Sequence, residues 1–191
     1  MVSLSKGSSV SLAKTDGSKL EKVTMGLGWD VKKKKGLFGG LSDGGSIDLD
    51  ASAIMFDAGR NVVDIVYFGA KRSKDTSIFH TGDNRTGEGE GDDEQIKVDL
   101  TKVAGNVQSI VFTVNSFTGE TFDKIENAKC RLLDERDVEF ATYNLSDSGS
   151  HTAQIMAKVS REGSGWKMTA IGEKANGRTA QQLAGAAAAH A

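Results

Sequence analysis

Apolar and polar residues alternate with a period of two along most of the chain, and that pattern commits it to strands with one buried face. In Lys22-Val23-Thr24-Met25-Gly26-Leu27, Val23, Met25 and Leu27 share a side. Residues 47–56 begin alternating and end more apolar, and Asp57-Ala58-Gly59-Arg60-Asn61 then turns the chain into 62–68 as a hairpin. The same character marks 95–100, 107–114, 128–133, 138–143, 153–159 and 166–171. The chain has 23 glycines and no proline, so its turns rest on Gly, Asn, Asp and Ser, which reach positive φ cheaply. Strands this short predict a mainly β fold, a β-sandwich of two antiparallel sheets, with one helical turn within 121–127. The sandwich is expected over 1–177. Residues 178–191 are alanine-rich and predict a C-terminal helix or tail whose last residues, 186–191, fray.

Composition narrows the function classes. A length of 191 residues suits one domain, and a net charge of −2 excludes a globally basic nucleic-acid binder. The single cysteine, Cys130, excludes an internal disulfide and a thiolate zinc site, and fits a reducing compartment. It shares a strand face with Ala128 and Leu132, which reads as a small buried residue. No apolar run approaches the roughly 18 residues a membrane span needs. The N-terminus alternates where a signal peptide would be continuously apolar, so the expected address is the cytoplasm.

The chemistry concentrates in Gly82-Asp83-Asn84-Arg85-Thr86-Gly87-Glu88-Gly89-Glu90-Gly91-Asp92-Asp93-Glu94. Asp83, Glu88, Glu90, Asp92, Asp93 and Glu94 face a lone Arg85, and the glycines let the backbone turn its carbonyls inward. Clustered carboxylates and carbonyls suit a hard cation that takes many oxygens, calcium before magnesium. An EF-hand is excluded, because its obligatory glycine would fall on Glu88. A phosphate cradle is excluded by the loop's charge and by the strand, rather than helix, that follows it. The plain alternative is a solvated acidic turn. Asp48 and Asp50, two apart on a strand, point to one face; with Ser52 beside them, that face is either solvated or shared with a cation. Asp30 ends the preceding strand and is expected near the same rim. His80, just before the loop, is placed to donate to a ligand carboxylate. Trp29 and Trp166 read as packing residues.

Three ordered motifs carry a family likeness. Gly26-Leu27-Gly28-Trp29-Asp30, Ile47-Asp48-Leu49-Asp50-Ala51-Ser52-Ala53 and the stretch from His80 to Glu94 closely resemble the bacterial tellurium-resistance TerD family, as do Val2-Ser3-Leu4-Ser5-Lys6-Gly7 and Val107-Gln108-Ser109-Ile110-Val111-Phe112. The resemblance covers nearly all of 1–175. It implies a calcium-binding β-sandwich, usually with two ions, acting in stress and tellurite resistance with a membrane-associated protein partner and without established catalysis. Carried over by position, it implies Asp83, Asn84, Asp92, Asp93 and Glu94 with Asp48 and Asp50 as ligands. Gly87, Gly89 and Gly91 would contribute carbonyls or tight turns, and Arg85, Glu88 and Glu90 would face solvent.

The chain departs from that pattern at 32–45, KKKKGLFGGLSDGG, a glycine-rich insertion longer than in many relatives. Lys32, Lys33, Lys34 and Lys35 beside Leu37-Phe38 suit weak contact with an anionic membrane surface, at about 1 kcal/mol per lysine. Two other function classes remain as alternatives: a small-molecule module of the cyclic-nucleotide type, and a metal-dependent hydrolase. No Ser-His-Asp or Cys-His arrangement is legible for the latter.

Overall fold

The computed structural model describes residues 2–14, 16–31, 34–35, 41–42, 47–82, 92–144 and 149–191, with 31, 34–35 and 41–42 at the backbone only. In chain order the strands are β1 Val2–Ser3, β2 Ser9–Ser11, β3 Lys22–Val31, β4 Lys34–Lys35, β5 Leu41–Ser42, β6 Leu49–Asp57, β7 Val62–Val66, β8 Ile78–His80, β9 Glu94–Asp99, β10 Val107–Ser116, β11 Ile125–Leu133, β12 Glu139–Asn144, β13 Ala153–Glu162 and β14 Gly165–Ala175. A 3₁₀ turn, Phe122–Lys124, precedes β11, and helix α1, Ala180–Ala188, closes the fold.

Two six-stranded sheets face each other, in the orders β1-β12-β11-β3-β9-β8 and β2-β14-β13-β10-β6-β7, while β4 and β5 pair separately within the lysine-rich insertion. The β-sandwich expected from the alternation is the architecture. Between the sheets lie Val23, Met25, Leu27 and Trp29 from β3 and Ile96 and Val98 from β9, packed with Leu49, Ala53, Met55, Ile110, Phe112 and Val114 from the second sheet. Each set is the apolar half of an alternating strand. The β10 strand, nine of whose ten residues are buried, lies inside its sheet between β6 and β13.

The expected sandwich carries one added detail at its edge, and the expected fraying of 186–191 needs correction. The sheets are not wholly antiparallel, because β1 runs parallel to β12, with Val2 opposite Ala141. Nor do the last residues simply fray: α1 runs to Ala188 and fully buries Leu183 and Ala187. Thr179 caps it by accepting the Gln182 N–H. Its buried side meets Ile54, Phe56, Val111, Ile155 and Ile171 on the outer face of the second sheet. That small apolar patch gives the alanine helix the partner it lacks in sequence.

Candidate metal site

The acidic loop leaves the first sheet after His80 and returns at Asp92. Residues 83–91 lie outside the described residues, and with them Asp83, Asn84, Gly87, Gly89 and Gly91 of the expected ligand set, as well as Arg85, Glu88 and Glu90. Lys32 and Lys33 lie outside them as well. The three acids that end the loop are described, and each is held differently.

Asp92 turns onto the outer face of the first sheet. Its Oδ1 meets the Arg131 Nε at 2.6 Å, and its Oδ2 accepts from the Gln95 amide at 2.9 Å. The carboxylate lies against the Cα of Gly26, where a Cβ would overlap it. Asp93 is fixed through its backbone, which donates to the Leu27 carbonyl at 2.8 Å, and through its carboxylate, which accepts the Trp29 N–H at 2.9 Å. Burial pushes its carboxyl above the ordinary value; the negative charges of Asp30 and Asp92 add to the effect, against the Trp29 hydrogen bond. Asp30 therefore reaches the rim as expected, where its side chain also accepts from Asn127 at 2.8 Å.

Glu94 points the opposite way, into the sandwich, and is 1% exposed. It shares parity with Ile96 and Val98 along β9 and so belongs to the buried face. Its Oε2 accepts the Ala51 N–H at 2.6 Å. His80, fully buried beside it, has its Nδ1 taken by the Gly82 N–H at 3.2 Å, which leaves the proton on Nε2. That nitrogen lies 3.2 Å from the Ala51 carbonyl and 3.4 Å from Glu94 Oε2. Because β7 pairs with β6 only from Ala53 onward, Glu94 and His80 stand where a neighbouring strand would satisfy Ala51.

These bonds draw the second acidic element to the loop. Asp50 is 3% exposed and Ser52 1%, so these two residues of that face are not solvated. Asn115 donates to Asp50 at 3.3 Å and to the Arg178 carbonyl just before α1. Asp48 is half-buried, and its carbonyl accepts from Phe117. The Trp29 indole donates to the Ile47 carbonyl at 3.2 Å, so this one residue bridges Asp93 to the segment leading into Asp48. Among the described residues alone, no three His, Cys, Asp or Glu side chains stand together as a metal cage. The acids at this rim offer oxygen donors, a chemistry that suits a hard cation and not a thiolate metal.

Arg131 and Gln95 carry no signal in the sequence, since an outward-facing polar residue on a strand is ordinarily solvated. Cys130 is buried as expected, and burial pushes its thiol up to about 12, which removes it as a reactive group at neutral pH.

A two-sheet sandwich in which the acids Asp92–Glu94 return to the first sheet and Glu94 bonds the strand that carries Asp50 is the class this geometry defines. The TerD domain model matches residues 1–186, and the chain belongs to the TerD family. It is 45% identical to the tellurium resistance protein TerZ of Serratia marcescens, covering 96% of this chain and 95% of that one. It is 41% identical to the stress response protein SCP2 of Bacillus subtilis, covering 92% and 93%. In fold it matches a solved TerD homologue, SCO6318 of Streptomyces coelicolor A3(2), with a TM-score of 0.69 at 23% identity, over 86% of this chain and 95% of that one. Among the described residues no helix is long and apolar enough to cross a membrane.

Proposed function

We propose that this protein is a non-catalytic, calcium-binding adaptor of a stress and tellurium-resistance system. Calcium orders the acidic loop and thereby completes a surface for a protein partner, itself membrane-associated, at the inner face of the membrane. The single observation that carries this reading is Asp93, a partly buried carboxylate held beside Asp30 and Asp92 at the mouth of the loop, with its charge disfavoured by that setting. Like charges gathered in this way cost energy that a divalent cation offsets.

Asp93, Asp48 and Asp50 are the proposed ligands from the ordered strands, with Asp83, Asn84 and the carbonyls near Gly87, Gly89 and Gly91 from the loop. Asp92 and Glu94 are proposed ligands that also anchor the loop, Asp92 through Arg131 and Glu94 through the Ala51 N–H, a bond in which Glu94 Oε1 takes no part. Relatives named for tellurium resistance and stress response supply the biological setting. The test is calorimetric titration of metal-free protein with calcium. Saturable heat that Asp93→Asn removes supports the reading; no heat, or heat unchanged in the variant, rejects it.

A further inference from the structure

At the far end of β6 from Asp50, the outer face of the second sheet carries a different kind of site. A recess of about 410 Å³ opens there, lined by Lys6, Arg60, Lys158, Thr169, Glu173 and His190 among others. Lys158 on β13 stands opposite Val111 on one side and Thr169 on the other, so its half-buried side chain rises between an apolar neighbour and a hydroxyl. The Thr169 hydroxyl bonds that of Ser9 at 2.8 Å, placing a pair of hydroxyls on the same row of the sheet. Of the acids, Glu173 is engaged by Lys6 at 2.9 Å, and Glu162 lies 3.5 Å from Lys167. Neither Lys158 nor Arg60 is ion-paired among the described residues.

Two features show that this arrangement has a cost. Burial lowers the Lys158 ammonium, and the nearby charges of Lys167 and Arg60 lower it further. Arg60 also sits at φ +62, a conformation in which glycine or asparagine is ordinarily found. The hairpin turn therefore bears backbone strain while presenting a guanidinium toward a lysine that repels it. An anion in the recess would offset the charge repulsion.

We propose that this recess is a phosphate site, in which Lys158 and Arg60 bind the oxygens of a phosphate monoester or inorganic phosphate and Thr169 donates its hydroxyl. A tetrahedral dianion uses a guanidinium, an ammonium and a hydroxyl together better than a planar carboxylate does. The site is independent of the calcium reading, since it shares no residue with the acidic rim. The phosphate belongs either to a soluble ligand or to a lipid headgroup.

The test follows backbone amide shifts in ¹H–¹⁵N spectra as inorganic phosphate is added to the full chain in a chloride buffer. A parallel arm measures co-sedimentation with phosphatidic acid vesicles against phosphatidylcholine vesicles. Saturable shifts around residues 60, 158 and 169 are expected, weakened at least tenfold by Lys158→Met and by Arg60→Gly and unchanged by Lys102→Met. Arg60→Gly also relieves the positive φ, so lost binding in that variant is not lost folding. Saturation by free phosphate assigns a soluble ligand, and saturation on phosphatidic acid alone assigns a headgroup; both support the site. Absence of saturation in both arms, or binding indifferent to Lys158 and Arg60, overturns it.

Discussion

The Asp92 carboxylate is clasped by Arg131 at 2.6 Å while it rests on the bare Cα of Gly26, two strands joined through an acid from the loop that follows β8. The Asp92 side chain is fully buried, whereas that of Arg131 is 26% exposed, so the pair is desolvated mainly on the acid's side. Removing the cation would leave a buried charge that, among the described residues, keeps the Gln95 amide as its donor. Arg131→Met is therefore expected to cost about 3 kcal/mol in urea denaturation, with part recovered in the double variant Asp92→Asn, Arg131→Met. Gly26→Ala is expected to cost about 1–3 kcal/mol by forcing the carboxylate off the sheet. A neutral outcome for both single variants would show that the clasp contributes nothing.

Glu94 supplies an acceptor to a backbone amide of β6 beyond the reach of its pairing with β7. Truncating it leaves the Ala51 N–H buried and unpaired, a loss of about 1–3 kcal/mol for Glu94→Ala. The local signature is sharper than the global one. In chelator, so that metal plays no part, hydrogen exchange at the Ala51 amide should accelerate strongly in Glu94→Ala and only modestly in Glu94→Gln, which retains an acceptor oxygen. Unchanged protection in Glu94→Ala would refute the clamp.

How much of this is legible in sequence depends on what each residue leans against. The long strands β3, β6, β10 and β13 announce themselves, because apolar residues recurring at every second position over nine or ten residues suit a strand and clash with a helix. The edge strands β1, β2 and β8, at two or three residues each, are too short to display a period, and only tertiary pairing defines them. Glu94 carries a readable sign, its parity with Ile96 and Val98, yet an acid next to two others reads first as a ligand. His80 likewise shares parity with Ile78 and is fully buried with it. The Asp92–Arg131 link crosses 39 residues of sequence and rests on Gly26 having no side chain, a relation that no local pattern encodes.

Away from the rim, Asp75 ties the turn at 73–77 to the segment before β10. Its Oδ1 accepts from the Ser73 and Ser77 hydroxyls and the Ser77 N–H, and its Oδ2 from the Ala104 N–H at 2.9 Å. Burial raises its carboxyl, but these donors together outweigh that and hold it below the ordinary value. The folded value thus lies under an unfolded value near about 4. Its stabilisation is complete above that pH and is lost as pH falls through the folded value. Asp75→Asn should be less stable than the parent near neutrality, with the difference shrinking steadily on acidification. A gap constant with pH would mean that the carboxylate's charge is irrelevant.

Calcium should act on stability in a way that separates it from general salt. A ligand that binds only the folded state at a hundredfold above its Kd adds about 2.7 kcal/mol. For a chain of this size that corresponds to a Tm rise of roughly 5–10 °C. Magnesium at the same concentration should give less, since it keeps its waters and fits poorly among many protein oxygens. Asp93→Asn should start with a higher Tm in chelator, because a charge disfavoured by burial, and further by Asp30 and Asp92, is removed, and should respond weakly to calcium. The crossing of those two responses is the diagnostic, since a merely structural Asp93 would lower stability under both conditions. Identical melting of the parent in calcium and in chelator would remove the metal from the account.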